Sequence, residues 1–132
     1  MLQITMKRKL SILIVDDNLS FITRIISLLD EVDNISSIHT AGNYDEASKV
    51  LDEKKPDVAL LDIQLPGKSG ISILKQIKES SATCQVIMLT NTTGDYYRQQ
   101  CKKLGAEHFL DKTNDFELVP GIVKGLKSQM IH

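Results

Sequence analysis

Five short apolar runs, separated by longer amphipathic segments, are the feature that most limits how this chain can fold. The runs are LSILIV (10–15), ISSIHTA (35–41), DVALLD (57–62), QVIMLT (85–90) and HFL (108–110). Runs this short and rich in Ile, Val and Leu predict β-strands, and those that are apolar almost throughout are typical of strands buried on both faces. The second run is more polar and the fifth is very short, so these two are the weaker strand predictions.

The segments between the runs carry apolar residues at helical spacing, which predicts five helices. We expect them over 19–32, 43–55, 69–80, 95–105 and from about Pro120 to Met130. The apolar side of the first comprises Phe21, Ile22, Ile25, Ile26, Leu28 and Leu29. Asn43 is a candidate N-cap for the second helix. Pro120 fits the first turn of the last helix better than its interior, after a capped turn over 114–118.

Strict alternation of strand and helix predicts a parallel sheet with right-handed crossovers and helices on both faces, which is a doubly wound α/β fold. No linker, repeat or low-complexity tract interrupts the pattern. We therefore expect one domain over 1–132, with an ordered core at about 9–131 and an N-terminal tail at 1–8.

Composition excludes several classes of protein. The net charge is −1, so no overall field attracts nucleic acid or anionic lipid. No apolar run approaches the roughly 20 residues that cross a bilayer, and the basic residues of MLQITMKRKL follow the apolar ones, which is the wrong order for a signal peptide. Cys84 and Cys101 have no metal-ligand spacing and are expected to be inert. These features favour a cytoplasmic protein.

Polar side chains stand where the predicted strands end. Asp16 and Asp17 follow the first strand, Asp62 ends the third, Thr90 ends the fourth and Lys112 follows the fifth. Because ligands of open parallel sheets bind outside the carboxyl ends of the strands, we expect these groups to converge. A carboxylate at the edge of an apolar core costs several kcal/mol unless it is compensated, and a cation in the same pocket would compensate Asp62.

Three carboxylates repel one another, and a single lysine cannot neutralise them. An oxygen-only set of ligands suits octahedral Mg²⁺, which usually completes its shell with waters and phosphate oxygens. Asp62 is the carboxylate best placed to take a phosphoryl group, and aspartyl phosphates are an established chemistry. Phosphoryl transfer needs mainly positioning and charge stabilisation, which the metal, Thr90 and Lys112 would supply.

Four segments together resemble the signature set of the receiver domain of two-component response regulators. They are ILIVDD, LLDIQLPGKSG, VIMLT and GAEHFLDK, and they occur in the family's order over essentially the whole chain. The resemblance implies a flavodoxin-like (βα)5 fold whose five-stranded parallel sheet has the order 2-1-3-4-5. It also implies that Asp62 is the phosphoacceptor. Asp17, Asp62 and the main-chain carbonyl of Gln64 would bind Mg²⁺ directly, with Asp16 acting mainly through water.

The same resemblance assigns roles around the phosphoryl group. Thr90 and Lys112 would contact its oxygens, and Phe109 occupies the position of the switch aromatic, which swings inward when Thr90 moves toward the phosphate. The side chains of Gln64 and Thr92 would border the path of the attacking water and set the phosphate lifetime. Neither is a general base at neutral pH, which predicts slow to intermediate self-hydrolysis.

Three positions depart from the family's common pattern. Thr113 follows Lys112 where the family often has proline, commonly after a cis peptide, so a cis bond is not expected here and the loop is expected to run differently. Asn91 stands where a small residue is more usual, and could narrow the approach to the phosphoryl group or donate a hydrogen bond to it. Leu65 replaces a methionine, which is a conservative exchange.

The resemblance implies a phosphorylation-dependent switch, not an enzyme. The phosphodonor would be a phosphohistidine on a sensor histidine kinase or a histidine phosphotransfer protein. The target would bind the face formed by the fourth helix, fifth strand and fifth helix, where Tyr96 and Tyr97 are candidate exposed contacts. Direct binding of nucleic acid or membrane is not expected, and a monomer and a phosphorylation-dependent dimer both fit.

Other functions stay open to different degrees. The chain is either a stand-alone receiver of chemotaxis or phosphorelay type or a receiver cut from a larger DNA-binding regulator; the ending KSQMIH mildly favours a natural terminus. A flavin mononucleotide carrier has the same fold, but the hydroxyl-rich TNTTGD (90–95) follows the fourth strand, and the acidic edge would repel the flavin phosphate. An aspartyl phosphatase would need an acid where Gln64 stands. A receiver that is never phosphorylated is disfavoured by the complete acidic set.

Overall fold

A computed structural model describes residues 9–80 and 83–126 of the chain. The strands are β1 Leu10–Val15, β2 Ile35–Ala41, β3 Val58–Leu61, β4 Gln85–Thr90 and β5 His108–Asp111. The helices are α1 Leu19–Leu29, α2 Tyr44–Lys54, α3 Gly70–Ser80, α4 Asp95–Lys103 and α5 Val119–Gly125, with a 3-10 turn at Phe116–Leu118 before the last. The tail expected at 1–8 lies outside the described residues.

The five strands form one parallel sheet in the order β2-β1-β3-β4-β5, which confirms the predicted flavodoxin-like fold. In its register Val15 pairs with Leu61, and Leu61 pairs with Met88. The central strands therefore end at nearly the same level. The residues that follow them, beginning with Asp16 and Asp62, are delivered to one edge of the sheet.

Alternating side chains of the buried strands fill two separate apolar cores, one on each face. Ile12, Ile14, Leu60 and Ile87 pack with α1 and α5 on the first face. Leu13, Val15, Leu61 and Met88 pack with α2, α3 and α4 on the second. Full burial of each such side chain contributes about 1.5–3 kcal/mol, so the two cores hold the strand ends firmly in place.

Asparagine side chains fix the starts of the first two helices. Asn18 Oδ1 accepts a hydrogen bond from Phe21 N at 3.1 Å, and Asn43 Oδ1 accepts one from Glu46 N at 2.9 Å. The predicted cap at Asn43 is therefore confirmed. Since α1 is capped by Asn18, the two aspartates before it are not needed for that role.

Two details of the predicted helices are wrong. Ile26 is 38% exposed instead of lying on the buried side of α1, which ends at Leu29. The last helix ends at Gly125 and Leu126 is extended, so no continuous helix reaches the expected end at Met130, a residue outside those described. Asn34 Nδ2 donates to the carbonyls of Val123 and Leu126 at 3.2 Å and closes the helix there.

Every helix in the described part of the chain is too short or too polar to cross a lipid bilayer.

Candidate functional site

Asp16 and Asp62 are tied to the sheet by their main chains. Asp16 N donates to Ala41 O and Asp62 N donates to Val15 O, both at 3.0 Å. Both residues are almost fully buried, with 2% and 6% of their surface exposed, whereas Asp17 is exposed. One carboxylate oxygen from each of the three residues lies within 4.8 Å of the others. The structure thus brings together the three acids that the sequence placed at this edge.

Both oxygens of the Asp62 carboxylate are hydrogen bonded. Oδ1 accepts from the Thr90 hydroxyl at 2.8 Å and from Gln64 N at 3.2 Å. Oδ2 accepts from Lys112 Nζ at 2.9 Å. A buried carboxylate with three donors is compensated for its loss of water, because each donor replaces a hydrogen bond that water made. This accounts for a charge at the tip of an apolar strand.

The Lys112 ammonium bridges two of the acids. Its Nζ lies 2.6 Å from Asp16 Oδ2 and 2.9 Å from Asp62 Oδ2, and 4.5 Å from the centre of the Phe21 ring. Burial acts to lower the pKa of Lys112, but the hydrogen bonds that its ammonium donates to Asp16 and Asp62, together with their negative charges, outweigh burial and the pKa is raised. Lys112 is therefore a fixed positive charge between the carboxylates.

Asp16 is the least solvated of the three acids. Burial raises the pKa of its carboxyl, and the hydrogen bonds from Lys112 and from Asn18 N only partly offset that effect. When all three acids are ionised, three negative charges face one ammonium, which leaves two uncompensated. The charge balance of the pocket therefore calls for a divalent cation.

The donor set fits magnesium. Asp17, Asp62 and Asp16 offer only oxygen atoms, all within 4.8 Å of one another. Oxygens at opposite positions around one Mg²⁺ are about 4 Å apart, so the carboxylates need to approach by less than about 1 Å to share an ion. Asp17 is exposed and can exchange water for an ion. The main-chain N–H of Gln64 donates to the Asp62 carboxylate, so the main chain of Gln64 lies next to the three acids.

Thr90 is completely buried and its hydroxyl is oriented by a second contact. Thr92 N donates to Thr90 Oγ1 at 3.1 Å, which directs the single hydroxyl proton toward Asp62. Gln64, Thr92 and Tyr97 line an open cleft of about 430 Å³ together with Asp17. The two positions assigned to phosphate lifetime therefore line the same cleft as Asp17, while their role stays a prediction.

Phe109 lies on β5 on the side of the sheet that α4 covers. Its ring is partly buried, with the guanidinium carbon of Arg98 4.7 Å from the ring centre. Arg98 Nη1 also donates to the Phe109 carbonyl at 3.3 Å. The candidate switch residue is thus held by a cation from α4.

The peptide bond after Lys112 has the geometry expected for a chain without the proline, while the predicted difference in the course of the loop stays a prediction. No cis peptide occurs within residues 9–80 and 83–126, so the bond between Lys112 and Thr113 is trans, as predicted. Asn91 is exposed and lines a second cleft together with Lys112 and Asn114. Its effect on a phosphoryl group stays a prediction.

Two residues near the site were not recognised from the sequence as contributors. Phe21 was assigned to the core, yet its ring also lies against the Lys112 ammonium. Its position in the first turn of α1, shortly after Asp17, could have indicated that it lies near the site. Gly70 belongs to the recognised pattern, but the reason for it appears only in the structure. A Cβ atom there would overlap the main-chain carbonyl of Asp62.

Comparison with known proteins agrees with this geometry. The family model named response regulator receiver domain matches residues 12–124. A protein-glutamate methylesterase/protein-glutamine glutaminase of Clostridium acetobutylicum is 34% identical over 113 residues, which are 83% of this chain and 33% of that protein. Across four curated relatives the matched share is 33 to 58% of their own length, so this chain spans only part of them.

Solved structures give the same result. The signal receiver domain of a DNA-binding response regulator from Colwellia psychrerythraea has a TM-score of 0.80 and 32% identity, covering 88% of this chain and 96% of that one. A phosphorylated cyanobacterial phytochrome response regulator, RcpA, has a TM-score of 0.76 and 25% identity, covering 89% and 90%.

Proposed function

The chain belongs to the response regulator receiver domain family, and from this premise we propose that it is a switch that accepts a phosphoryl group on Asp62. The observation that carries the proposal is the environment of that carboxylate. One oxygen is bonded to the Thr90 hydroxyl and the other to the Lys112 ammonium, with two further acids within 4.8 Å. A hydroxyl, an ammonium and a site for a divalent cation are the groups that phosphoryl transfer to a carboxylate requires.

The reaction forms one bond and breaks another. A carboxylate oxygen of Asp62 bonds to phosphorus while the bond from phosphorus to the histidine nitrogen of the donor breaks, and its electron pair returns to the imidazole ring. The product is an acyl phosphate on Asp62. The Thr90 hydroxyl and the Lys112 ammonium, which now bind the carboxylate, would turn to the new phosphoryl oxygens and stabilise their charge.

We assign the metal site to Asp17, Asp62 and the main-chain carbonyl of Gln64, with Asp16 acting through water. When bound there, Mg²⁺ would neutralise negative charge on the phosphoryl group as the donor approaches the Asp62 carboxylate. Asp17 and Asp62 would bind the ion directly, and Asp16 would hold it through a water molecule. Their mutual repulsion, which Lys112 alone does not balance, favours its uptake.

The response would pass from Thr90 to Phe109. When the Thr90 hydroxyl follows the phosphoryl group, the space beside β4 changes and the Phe109 ring moves inward, which alters the face formed by α4, β5 and α5. Tyr96 and Tyr97 on α4 are 71% and 37% exposed and stack edge to face with 5.3 Å between ring centres. These aromatic groups are suited to contact a target protein.

The partners follow from the same proposal. A sensor histidine kinase or a histidine phosphotransfer protein supplies the phosphoryl group, and a target protein reads the α4–β5–α5 face, in the cytoplasm. We assign the chain no turnover of an external substrate beyond slow self-dephosphorylation. The alternative is a receiver within a larger DNA-binding regulator; three of the curated relatives are named as transcriptional regulators, and the chain matches 49 to 58% of their length.

The direct test is phosphorylation by a small donor. The protein is incubated with Mg²⁺ and acetyl phosphate, and the phosphoryl mass increment is read by intact-mass spectrometry. The wild type should gain one increment and Asp62→Asn none. Asp57→Asn is the matched control, since Asp57 stands at the other end of β3 and accepts Ser11 N at 2.8 Å; it should be phosphorylated normally. An unmodified wild type would overturn the proposal.

A further inference from the structure

Asp111, the last residue of β5, is hydrogen bonded to three residues that follow Lys112. Its Oδ1 accepts from Thr113 N at 2.7 Å and from Asn114 N at 3.3 Å, and its Oδ2 accepts from Asn114 Nδ2 at 3.2 Å. Its own N–H donates to Asp115 Oδ2 at 2.9 Å, and Asp115 N donates back to Asp111 O at 2.9 Å. We call Asp111, Thr113, Asn114 and Asp115 the Asp111 clasp.

Lys112 is the residue enclosed by the clasp. On its other side, Lys112 N donates to Thr90 O at 3.0 Å, so β4 and the clasp together fix the main chain at this position. The Lys112 side chain is a flexible four-carbon stem that loses rotamer entropy when it is ordered. Its Nζ nevertheless reaches two acids, Asp16 at 2.6 Å and Asp62 at 2.9 Å. Because the main chain of Lys112 is fixed, its side chain has fewer conformations to choose from, and a larger share of them places Nζ beside the two acids.

We propose that Asp111 is a positioning residue for phosphorylation: its carboxylate holds the peptides of Thr113 and Asn114 so that the Lys112 ammonium is aimed at Asp62. The inference rests on the proposed function, because the aim of Lys112 matters only when Asp62 reacts. Asp111 does not touch the reacting atoms and acts through Lys112. Thr113 follows Lys112, and the hydrogen bonds of the clasp fix the course of the loop at this point.

We expect the position of the Asp111 side chain, and not its charge, to matter for phosphorylation. Two substitutions distinguish the effect of position from the effect of charge. Asp111→Asn keeps an oxygen at Oδ1 for both N–H donors and removes the charge. Its Nδ2 replaces the oxygen that accepts from Asn114 Nδ2, a contact that a flip of the Asn114 amide restores. Asp111→Glu keeps the charge and moves the carboxylate away by one methylene. We expect Asp111→Asn to phosphorylate within about threefold of wild type and both Asp111→Glu and Asp111→Ala to be slower by about tenfold or more, since a displacement near 1 Å can cost up to about a hundredfold.

A double-mutant cycle with Lys112 tests whether the effect passes through that residue. The rate of phosphorylation by acetyl phosphate is measured for Asp111→Ala, Lys112→Ala and the double variant. If the clasp serves Lys112, then Asp111→Ala slows the wild type but changes the Lys112→Ala rate by less than about twofold. The matched control is Asp57→Ala, which also removes a carboxylate that accepts a main-chain N–H, at the opposite end of the sheet. It should leave the rate unchanged in both backgrounds.

Each outcome decides the inference. Equal slowing by Asp111→Ala in both backgrounds would show a merely structural role and overturn it, and so would a wild-type rate for Asp111→Glu. If Asp111→Ala does not fold, Asp111→Glu replaces it in the cycle. Failure of the wild type to take a phosphoryl group would instead refute the proposed function and the inference with it.

Discussion

The α-carbon of Gly70 lies against the main-chain carbonyl of Asp62, so closely that a Cβ atom would overlap the oxygen. Gly70 N also donates to Ile63 O at 2.9 Å, which joins the start of α3 to the segment that carries the phosphoacceptor. The contact explains why the eighth residue after this aspartate is a glycine. Any side chain there must move either α3 or Asp62.

Gly70→Ala should therefore both destabilise the fold and slow phosphorylation. We expect a loss of about 2–3 kcal/mol in the free energy of unfolding in urea, as in other overpacked sites. Gly121→Ala is the control, because a Cβ atom at that position in α5 meets open space. It should stabilise by about 0.5–1 kcal/mol. A Gly70→Ala protein with wild-type stability and rate would refute the role of this contact.

Asp17→Asn should have opposite effects with and without magnesium. In EDTA the variant should unfold at higher urea than wild type, because one of three repelling carboxylates is neutralised. Its Mg²⁺ affinity, measured by isothermal titration calorimetry, should fall by at least about tenfold, since a direct ligand is lost. Asp30→Asn, an exposed position after α1, is the control and should bind Mg²⁺ as wild type does. Unchanged affinity in Asp17→Asn would remove Asp17 from the metal site.

Arg98→Ala should release the ring of Phe109 without affecting the chemistry at Asp62. The cation and the aromatic ring are 4.7 Å apart at a partly exposed position, so about 0.5–1 kcal/mol of unfolding free energy should be lost. Aromatic NMR resonances of Phe109 should shift in the unphosphorylated variant, while the rate of phosphorylation stays near that of wild type. Arg98→Lys keeps the positive charge and should shift them less. Identical Phe109 resonances in all three proteins would exclude the contact in solution.

The two cysteines should be unreactive in the folded protein. Burial raises the pKa of the Cys84 thiol to about 12 and that of Cys101 to about 11. Because the pKa values lie above the pH, both groups are protonated at pH 8, with thiolate fractions of about one in ten thousand and one in a thousand. A thiol reagent such as DTNB should label neither until urea unfolds the chain. Rapid labelling of the native protein would reopen a redox role.

The sequence predicted the architecture well because two local signals agreed. Each central strand is apolar on both faces and each helix has one apolar side, so the alternation left few topologies. The prediction was wrong where the apolar spacing of a helix included a residue that is not buried. Ile26 continues the apolar spacing of α1, yet only Phe21, Ile22, Ile25 and Leu29 are buried.

The remaining errors and omissions come from contacts between distant parts of the chain. The last helix ends where Asn34, which is 89 residues before Val123, binds its final carbonyls, and no local pattern reveals that. The course of the Asp111 clasp depends on which carboxylate turns toward which N–H, which residue types alone do not specify. The convergence of the acids with Thr90 and Lys112 was predictable, because a parallel sheet brings strand ends to one edge.

Asp62, and no other acid in the pocket, is expected to carry the phosphoryl group. The most direct measurement is to phosphorylate the wild type with acetyl phosphate and Mg²⁺, reduce the acyl phosphate with borohydride and locate the product by peptide mass spectrometry. Reduction converts a phosphorylated aspartate to homoserine, so we expect homoserine at position 62. Homoserine at position 16 or 17, or none at position 62 in a phosphorylated sample, would contradict it.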